Sequence, residues 1–362
     1  MTARRVLLAA GFVAALALRL GFLVRFSGNF DLQSFGTAVD ILKRGGDLYL
    51  DTNRYNYSPV WAHVLLGLDR LGASLGLSLA AALGGFLLLV DAATALVLHR
   101  LAGGGRRGAA AALLFFANPV SVFVSSFHLQ FDNVAILLLL LALWGASRPA
   151  PNNPGTVAAL SASLLVKHVT AFFPPLFVAR RDRAGLRPIE ALIPYGLFVA
   201  AFLPYWRSWP GIRRHVLLYR GISEDYGVAM LLKLPGAPAW LPTALFLAAV
   251  AVALVLLRRL EPARSCLRLF LVMLLFVPGV CEYYFVWPVA LGALSGGFGY
   301  VVYTAAVTAF FLGSPDGLNL PLTHLPGWHG LWWSVLLWLA WELRRDSARP
   351  RAAASGGGAG PA

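Results

Sequence analysis

The chain predicts an all-α fold, a polytopic transmembrane helix bundle of about 10–13 helices, several of them short. Three observations carry that expectation. Hydrophobic residues make up 59% of the 362 residues and Asp, Glu, Lys and Arg only 13%, against about 25% charged residues in soluble chains. The apolar residues come in long blocks with short charged punctuation, and a helix needs about 20 of them to cross a bilayer. The basic residues cluster so that one topology places nearly all clusters on one side. Alternating strand patterns are absent, which argues against a β-barrel. A helix satisfies its own backbone hydrogen bonds where lipid cannot.

Taken in order, the first block is 6–26, preceded by Arg4 and Arg5. Its apolar run is about 20 residues, longer than a signal-peptide h-region, and no clear small-residue cleavage site follows. It reads as a retained first helix. The segment 58–71 is apolar but carries Asp69 and Arg70, and fits a short helix at the surface or dipping partway in. Further helices are expected at 76–99, 108–126, 132–147, 156–166, 168–179, 188–205, 240–257, 266–280, 284–296, 298–313 and 329–343. Several are too short to span alone, so some must be half-length or tilted inside the bundle. The bundle occupies residues 1–345; the Gly/Ala-rich tail, 346–362, is expected to be disordered and cytoplasmic.

Orientation follows the basic residues. The clusters are Arg4 and Arg5; Arg100, Arg106 and Arg107; Arg180, Arg181, Arg183 and Arg187; Arg258, Arg259, Arg264 and Arg268; and Arg344, Arg345, Arg349 and Arg351. Placing all of them in the cytoplasm puts both termini there. It also requires 156–179 to be two short helices that go out and return, turning at Lys167-His168. The net charge of +14 is then mainly a topology signal, with attraction to anionic membrane lipids as a by-product. Basic residues scattered over helix ends do not suit nucleic acid. The opposite side receives 27–57, 127–131, the Lys167-His168 turn and 206–238, with Glu282-Tyr283-Tyr284 at a helix end. The stretch 206–238 departs from the charge rule, because Arg207, Arg213, Arg214, Arg220 and Lys233 all fall outside.

The first outer loop reads FSGNFDLQSFGTAVDILKRGGDLYLDTNRYNYSP. Helical spacing from Ser34 to Lys43 puts Phe35, Val39 and Leu42 on one side, as in an interfacial helix. Asp31 is either a solvated loop acid or helix cap, or a carboxylate held near the membrane surface. Tyr57 suits an aromatic belt. In residues 127–133 (FHLQFDN), His128, Gln130, Asp132 and Asn133 crowd into one short turn; capping would need one of them, not four. Polar residues at such depth are costly and usually face a cavity. Lys167 and His168 interrupt a long apolar run. The lysine either snorkels or joins His168 in holding a phosphate. Asp91, inside a helix, suits pairing with another helix. Glu282-Tyr283-Tyr284 fits an anchor or a cavity wall.

Several chemistries are missing from the sequence. It has no Walker A loop, no GxGxxG after a strand and no HExxH. Cys266 and Cys281 make no disulfide framework or metal spacing. No soluble nucleotide-binding domain is present, so a donor for any transfer chemistry has to arrive through the membrane, and a lipid-linked donor is the natural candidate.

The FHLQFDN run, followed by a Leu-rich helix and then by LLVKHVTAFFPPLF, resembles the dolichyl-phosphate-glucose-dependent glucosyltransferases that extend the lipid-linked oligosaccharide. The opening loop, with Asp31, a glycine before Leu48-Tyr49, and Tyr57-Ser58-Pro59, is similar to polyprenyl-phosphate mannosyltransferases of the same superfamily, as is Tyr284-Phe285-Val286-Trp287. The resemblance covers roughly the first half of the chain and one late patch. It departs at Leu129 and Asp132, which leaves the sugar open between glucose and mannose.

The resemblance implies a GT-C-type inverting hexosyltransferase acting on the extracytoplasmic side. A polyprenyl- or dolichyl-phosphate sugar would be the donor, and a lipid-linked or envelope glycan the acceptor. Asp31 matches the family's catalytic acidic residue of the first outer loop. The residues themselves permit that chemistry. A single displacement needs a base for the acceptor hydroxyl and cations for the departing phosphate. Lys167, His168 and an arginine from Arg213, Arg214 or Arg220 can supply charge, with arginine offering bidentate geometry. No cofactor or metal is expected. A transporter or lipid flippase would also use polar residues in broken helices, but the two related halves common in transporters are not evident. A non-catalytic subunit of an envelope assembly machine is a further alternative.

Overall fold

The computed structural model describes residues 3–25, 28–147, 153–178, 185–219, 221, 226–228, 238–314, 317–320 and 327–347. Among these the chain is all-helical, with a lone bridge between Val178 and Leu186. The helices are α1 (Ala3–Arg25), α2 (Phe30–Lys43), α3 (Pro59–Ser74), α4 (Leu79–Leu101), α5 (Gly105–Phe116), α6 (Pro119–Val122), α7 (Asp132–Ala146), α8 (Pro154–Val166), α9 (Pro188–Ala201), α10 (Trp209–Ile212), α11 (Leu241–Leu257), α12 (Pro262–Phe276), α13 (Val289–Ser295), α14 (Phe298–Gly313) and α15 (Trp328–Ser347).

Two of these are long and apolar enough to cross a membrane, Arg5–Arg25 and Leu79–Leu101. Two further pairs qualify if each bent pair is one span: Gly105–Phe116 with Pro119–Phe127, bent by 50°, and Pro188–Ala201 with Leu203–Leu217, bent by 60°. Asp132–Ala146, Pro154–Val166, Leu241–Leu257 and Phe298–Gly313 are shorter apolar helices. The helical character matches expectation, and the described helices give two to four candidate spans. The first bend has a local cause. Pro119 starts a new helix with Asn118 as its cap, Asn118 accepting from the Val120 amide, and the chain then widens into a π-turn over Phe123–Phe127. Proline lacks the N–H that would continue the preceding ladder.

Three expected elements differ. The helix expected at 284–296 is a 3₁₀ turn over Glu282–Val286 followed by a short helix, Val289–Ser295, with Pro288 between them unable to donate. The segment 168–179 is not a returning α-helix: it forms 3₁₀ turns over His168–Phe172 and Pro174–Phe177. Pro174 and Pro175 remove two successive donors, and proline disfavours α geometry in the residue before it. The helix expected from Ser34 begins four residues earlier, at Phe30. Asn29 caps it by accepting from the Leu32 amide at 2.8 Å. Asp31 is therefore neither a loop acid nor the cap; it sits in the first turn, where a helix dipole favours a carboxylate. α2 buries Phe35, Ala38, Val39 and Ile41. It is tied to α3 by Lys43–Asp69 at 2.7 Å, and so packs on the bundle instead of lying alone. The tail expected from 346 starts inside α15, and 348–362 lie outside the described residues.

The core has two parts. The larger gathers α4 to α8 and α12 to α15, with Phe270, Phe285, Tyr303 and Trp338 fully buried. The smaller joins α2, α3 and the start of α7 around Phe35, Tyr55, Trp61 and Phe131. Trp61 stacks on Phe131 at 3.9 Å between ring centres. A buried ion pair, Arg19–Asp91, crosses from α1 to α4. Around it Arg19 donates to Ser125 Oγ at 2.8 Å, Ser121 Oγ at 3.0 Å and the Phe116 carbonyl at 3.1 Å. Asn133 donates to Asp91 at 2.6 Å. The sequence expectation that Asp91 pairs with another helix therefore holds.

Candidate functional site

A cavity of about 430 Å³ opens where the two cores meet. Its lining includes the polar side chains of Tyr57, Lys167, His168, Tyr219, Tyr283 and Tyr284 and the apolar ones of Phe172, Phe198, Leu217, Phe246 and Leu247.

Lys167 stands at the end of α8, where the chain turns extended before the 3₁₀ segment. Its ammonium donates to Asp132 Oδ2 at 2.6 Å, and only 4% of the side chain is exposed. The other carboxylate oxygen of Asp132 accepts from Trp287 Nε1 at 2.6 Å. The ammonium also lies over four rings: Tyr283 at 4.6 Å, Phe131 at 5.1 Å, and Tyr57 and Tyr284 at 5.6 Å. A lysine has three donors and one meets Asp132, so the group is both ion-paired and held by ring faces. Snorkelling is excluded: the amine is turned inward.

Asp31 is reached from the same turn. Leu129 adopts a left-handed conformation, φ 54°, which is uncommon for a branched residue. It redirects the chain between the Phe123–Phe127 π-turn and α7. Gln130 is thereby fully buried and its amide donates to Asp31 Oδ2. Asn29 anchors the other strand of this junction by donating to the His128 carbonyl at 2.8 Å. Burial pushes the Tyr57 phenol well above its ordinary range, and the Asp31 and Asp132 charges add to the shift. Burial likewise raises Tyr219, followed by the neighbouring Cys281, with Asp31 again contributing. Asp31 is thus within electrostatic reach of two phenols that line the cavity.

Of the residues predicted from sequence, Asp31, Tyr57, Gln130, Asp132, Lys167, His168 and Tyr283 come together here. The other described ones do not. Asn133 follows Asp132 by about 100° around α7, and so faces Asp91 in the interior. The His128 ring packs against Phe127 and Phe311, with centroids at 5.4 and 6.0 Å. Glu282 turns toward the end of α14, accepting from Ser314 Oγ. Arg213 and Arg214 are exposed and do not line the cavity. Ile212 and Val216, at i and i+4, take the inward face of that turn, leaving the arginines outside. Arg220 lies outside the described residues.

Sequence reasoning missed Trp287 and Phe131 as parts of the site; Tyr284, read with Glu282 and Tyr283 as an anchor or a cavity wall, does line it. Trp287 stands in the quoted Tyr284-Phe285-Val286-Trp287 patch, so a signal existed. Thr243 had none, since it lies within a plain apolar run. Its hydroxyl and His168 Nδ1, both on cavity-lining residues, are buried with no hydrogen-bond partner among the described residues. Such orphaned groups are uncommon in interiors and are available to a ligand. Among the described residues, no three His, Cys, Asp or Glu side chains gather closely enough to hold a metal ion. No protein-family model, curated protein or solved structure matches the chain.

Proposed function

We propose that the chain is a polytopic integral membrane hexosyltransferase of the GT-C type, working on the extracytoplasmic side with both termini in the cytoplasm. Its donor is a polyprenyl- or dolichyl-phosphate glucose or mannose, and its acceptor a lipid-linked or envelope glycan. One observation carries the reading: a carboxylate in the first turn of α2, Asp31, is held by Gln130 near a cavity lined by both apolar and polar side chains. Phe172, Phe246 and Leu247 suit an isoprenoid chain, while Lys167, His168 and the tyrosines suit a sugar phosphate.

The reaction is a single displacement. The acceptor hydroxyl loses its proton to Asp31 as its oxygen bonds to the anomeric carbon. The bond from that carbon to the phosphate oxygen breaks, and its electron pair leaves with the lipid phosphate. Lys167 offers positive charge to that leaving group, and its pairing with Asp132 fixes its position in advance. Membrane residence is supported by the large apolar side chains left exposed along α1, α9 and α11, including Leu7, Val13, Leu192, Val199, Val252 and Leu256. Soluble monomers rarely expose contiguous apolar patches of more than a few hundred Å².

The two bent helix pairs favour a second reading, a transporter or lipid flippase. The test is to incubate purified protein with radiolabelled polyprenyl-phosphate glucose and polyprenyl-phosphate mannose and a membrane glycolipid extract as acceptor. The proposal expects one label to move to a lipid or glycan product. Label that only crosses a vesicle bilayer, chemically unchanged, favours the flippase.

A further inference from the structure

Away from the cavity, a second hollow of about 390 Å³ lies between α1, α4 and α5. Its walls are Ala92, Ala95 and Leu96 of α4, Ala109 and Ala112 of α5, and Phe12 of α1. Phe12 and Phe116 meet at 6.0 Å between ring centres and close one end. At the other end stands His99. From Ala92 to His99 the hollow runs roughly 10 Å along the helix, which suits the end of a hydrocarbon chain.

The His99 end is built for charge. The α4–α5 turn, Gly103-Gly104-Gly105, has positive φ at all three residues (84°, 72° and 55°). The Gly104 amide donates to the His99 carbonyl at 2.9 Å, folding the turn back on α4. Gly108 lies so close that an added Cβ would stand 2.4 Å from that carbonyl, which fixes α5 against α4. The turn brings Arg106 and Arg107, both exposed, into the first turn of α5. Two arginines at the positive end of a helix dipole are unfavourable unless an anion offsets them. The described residues of α5 carry no acid in that turn.

We infer that this hollow binds an anionic glycerophospholipid, with an acyl chain along the alanines and the phosphate against His99 and Arg106, the arginine that lies within about 60° of Ala109 around α5. The small-residue wall could instead seat a helix of a second copy. That arrangement would bring two copies of His99 and Arg106 toward each other, whereas an anionic lipid satisfies the apolar wall and the charge together. The inference rests on the membrane reading and is independent of glycosyl transfer.

The experiment uses the full-length chain in nanodiscs of equal phosphatidylglycerol and phosphatidylcholine. The protein is then extracted into mild detergent, and the lipid it retains is counted by native mass spectrometry. The expected result is retention of phosphatidylglycerol over phosphatidylcholine by at least about tenfold, as basic residues at a membrane surface each add appreciable attraction for anionic lipid. Ala92→Phe fills the hollow from its exposed side and should abolish retention. Arg106→Gln with Arg107→Gln should erase the preference and leave weak, unselective binding. Equal retention of the two lipids by the native chain overturns the inference. So does unchanged retention in Ala92→Phe, and a change in oligomeric state in that variant would then assign the hollow to a second copy. Failure of the membrane reading shows separately, as extraction of the protein without detergent.

Discussion

At the residue scale, Lys167 and Asp132 depend on each other. Each is almost wholly buried, and removing one partner of a buried pair costs about 3–5 kcal/mol because the other is left uncompensated. Lys167→Met leaves Asp132 with Trp287 alone and should lower the thermal midpoint of the purified protein by several degrees. Lys167→Met combined with Asp132→Leu should recover much of that loss, since an apolar pair of similar volume is often neutral. A double variant as unstable as the sum of its single variants would show that the two side chains act independently. The sequence marked both residues as polar intruders in apolar runs. Their pairing across 35 positions was not legible, because it depends on how far α8 extends before the chain turns. The same holds for Asn133, whose neighbour Asp132 points the other way for reasons of helical phase alone.

At the scale of elements, α1 is the informative case. Most of its apolar surface faces outward, so few packing contacts hold it, and Arg19 supplies its principal anchor. The guanidinium reaches Asp91 of α4, Ser121 of α6, Ser125 of the π-turn and the last carbonyl of α5. Asn133 extends the same network to α7. Arg19→Met should therefore loosen α1 specifically. Limited proteolysis in detergent should cut near residue 28 much faster than in the native protein, while Arg25→Met, at the exposed end of the helix, should leave the rate unchanged. Equal cutting in both variants would mean that lipid-facing packing, not the network, holds α1. Asp91 was legible as a partner for another helix. Arg19 was not singled out, because one arginine late in an apolar helix looks like a snorkelling residue. The 3₁₀ turns after Lys167 were legible in hindsight from Pro174-Pro175. Hydropathy outweighed them in the reading as a spanning helix.

At the scale of the whole molecule, composition announced an apolar helical chain, and the described helices agree. The number of crossings was less legible, since several apolar helices here are too short to span alone: Asp132–Ala146 is largely packed into the interior, while Leu241–Leu257 leaves most of its apolar side chains at least partly exposed. Sidedness is open to a direct check. Cys266 and Cys281 are both buried, so an introduced thiol reports with little background. A cysteine at exposed Asn53 should react with an impermeant maleimide in intact cells, and one at exposed Arg106 only after permeabilisation; the reverse pattern would invert the topology. The candidate site was legible as separate polar clusters. Their convergence required a left-handed Leu129 and a helix that starts at Phe30, neither of which hydropathy reports. The central claim is that Asp31 acts as the base of a sugar transfer. The most direct measurement compares transfer of labelled hexose from polyprenyl phosphate by the native chain, Asp31→Asn and Asp40→Asn, each purified to similar monodispersity. Asp40 lies on the same helix and is exposed. A general base is worth about 10²–10⁴-fold, so Asp31→Asn should lose transfer by that factor while Asp40→Asn keeps it. Full transfer by Asp31→Asn would contradict the account.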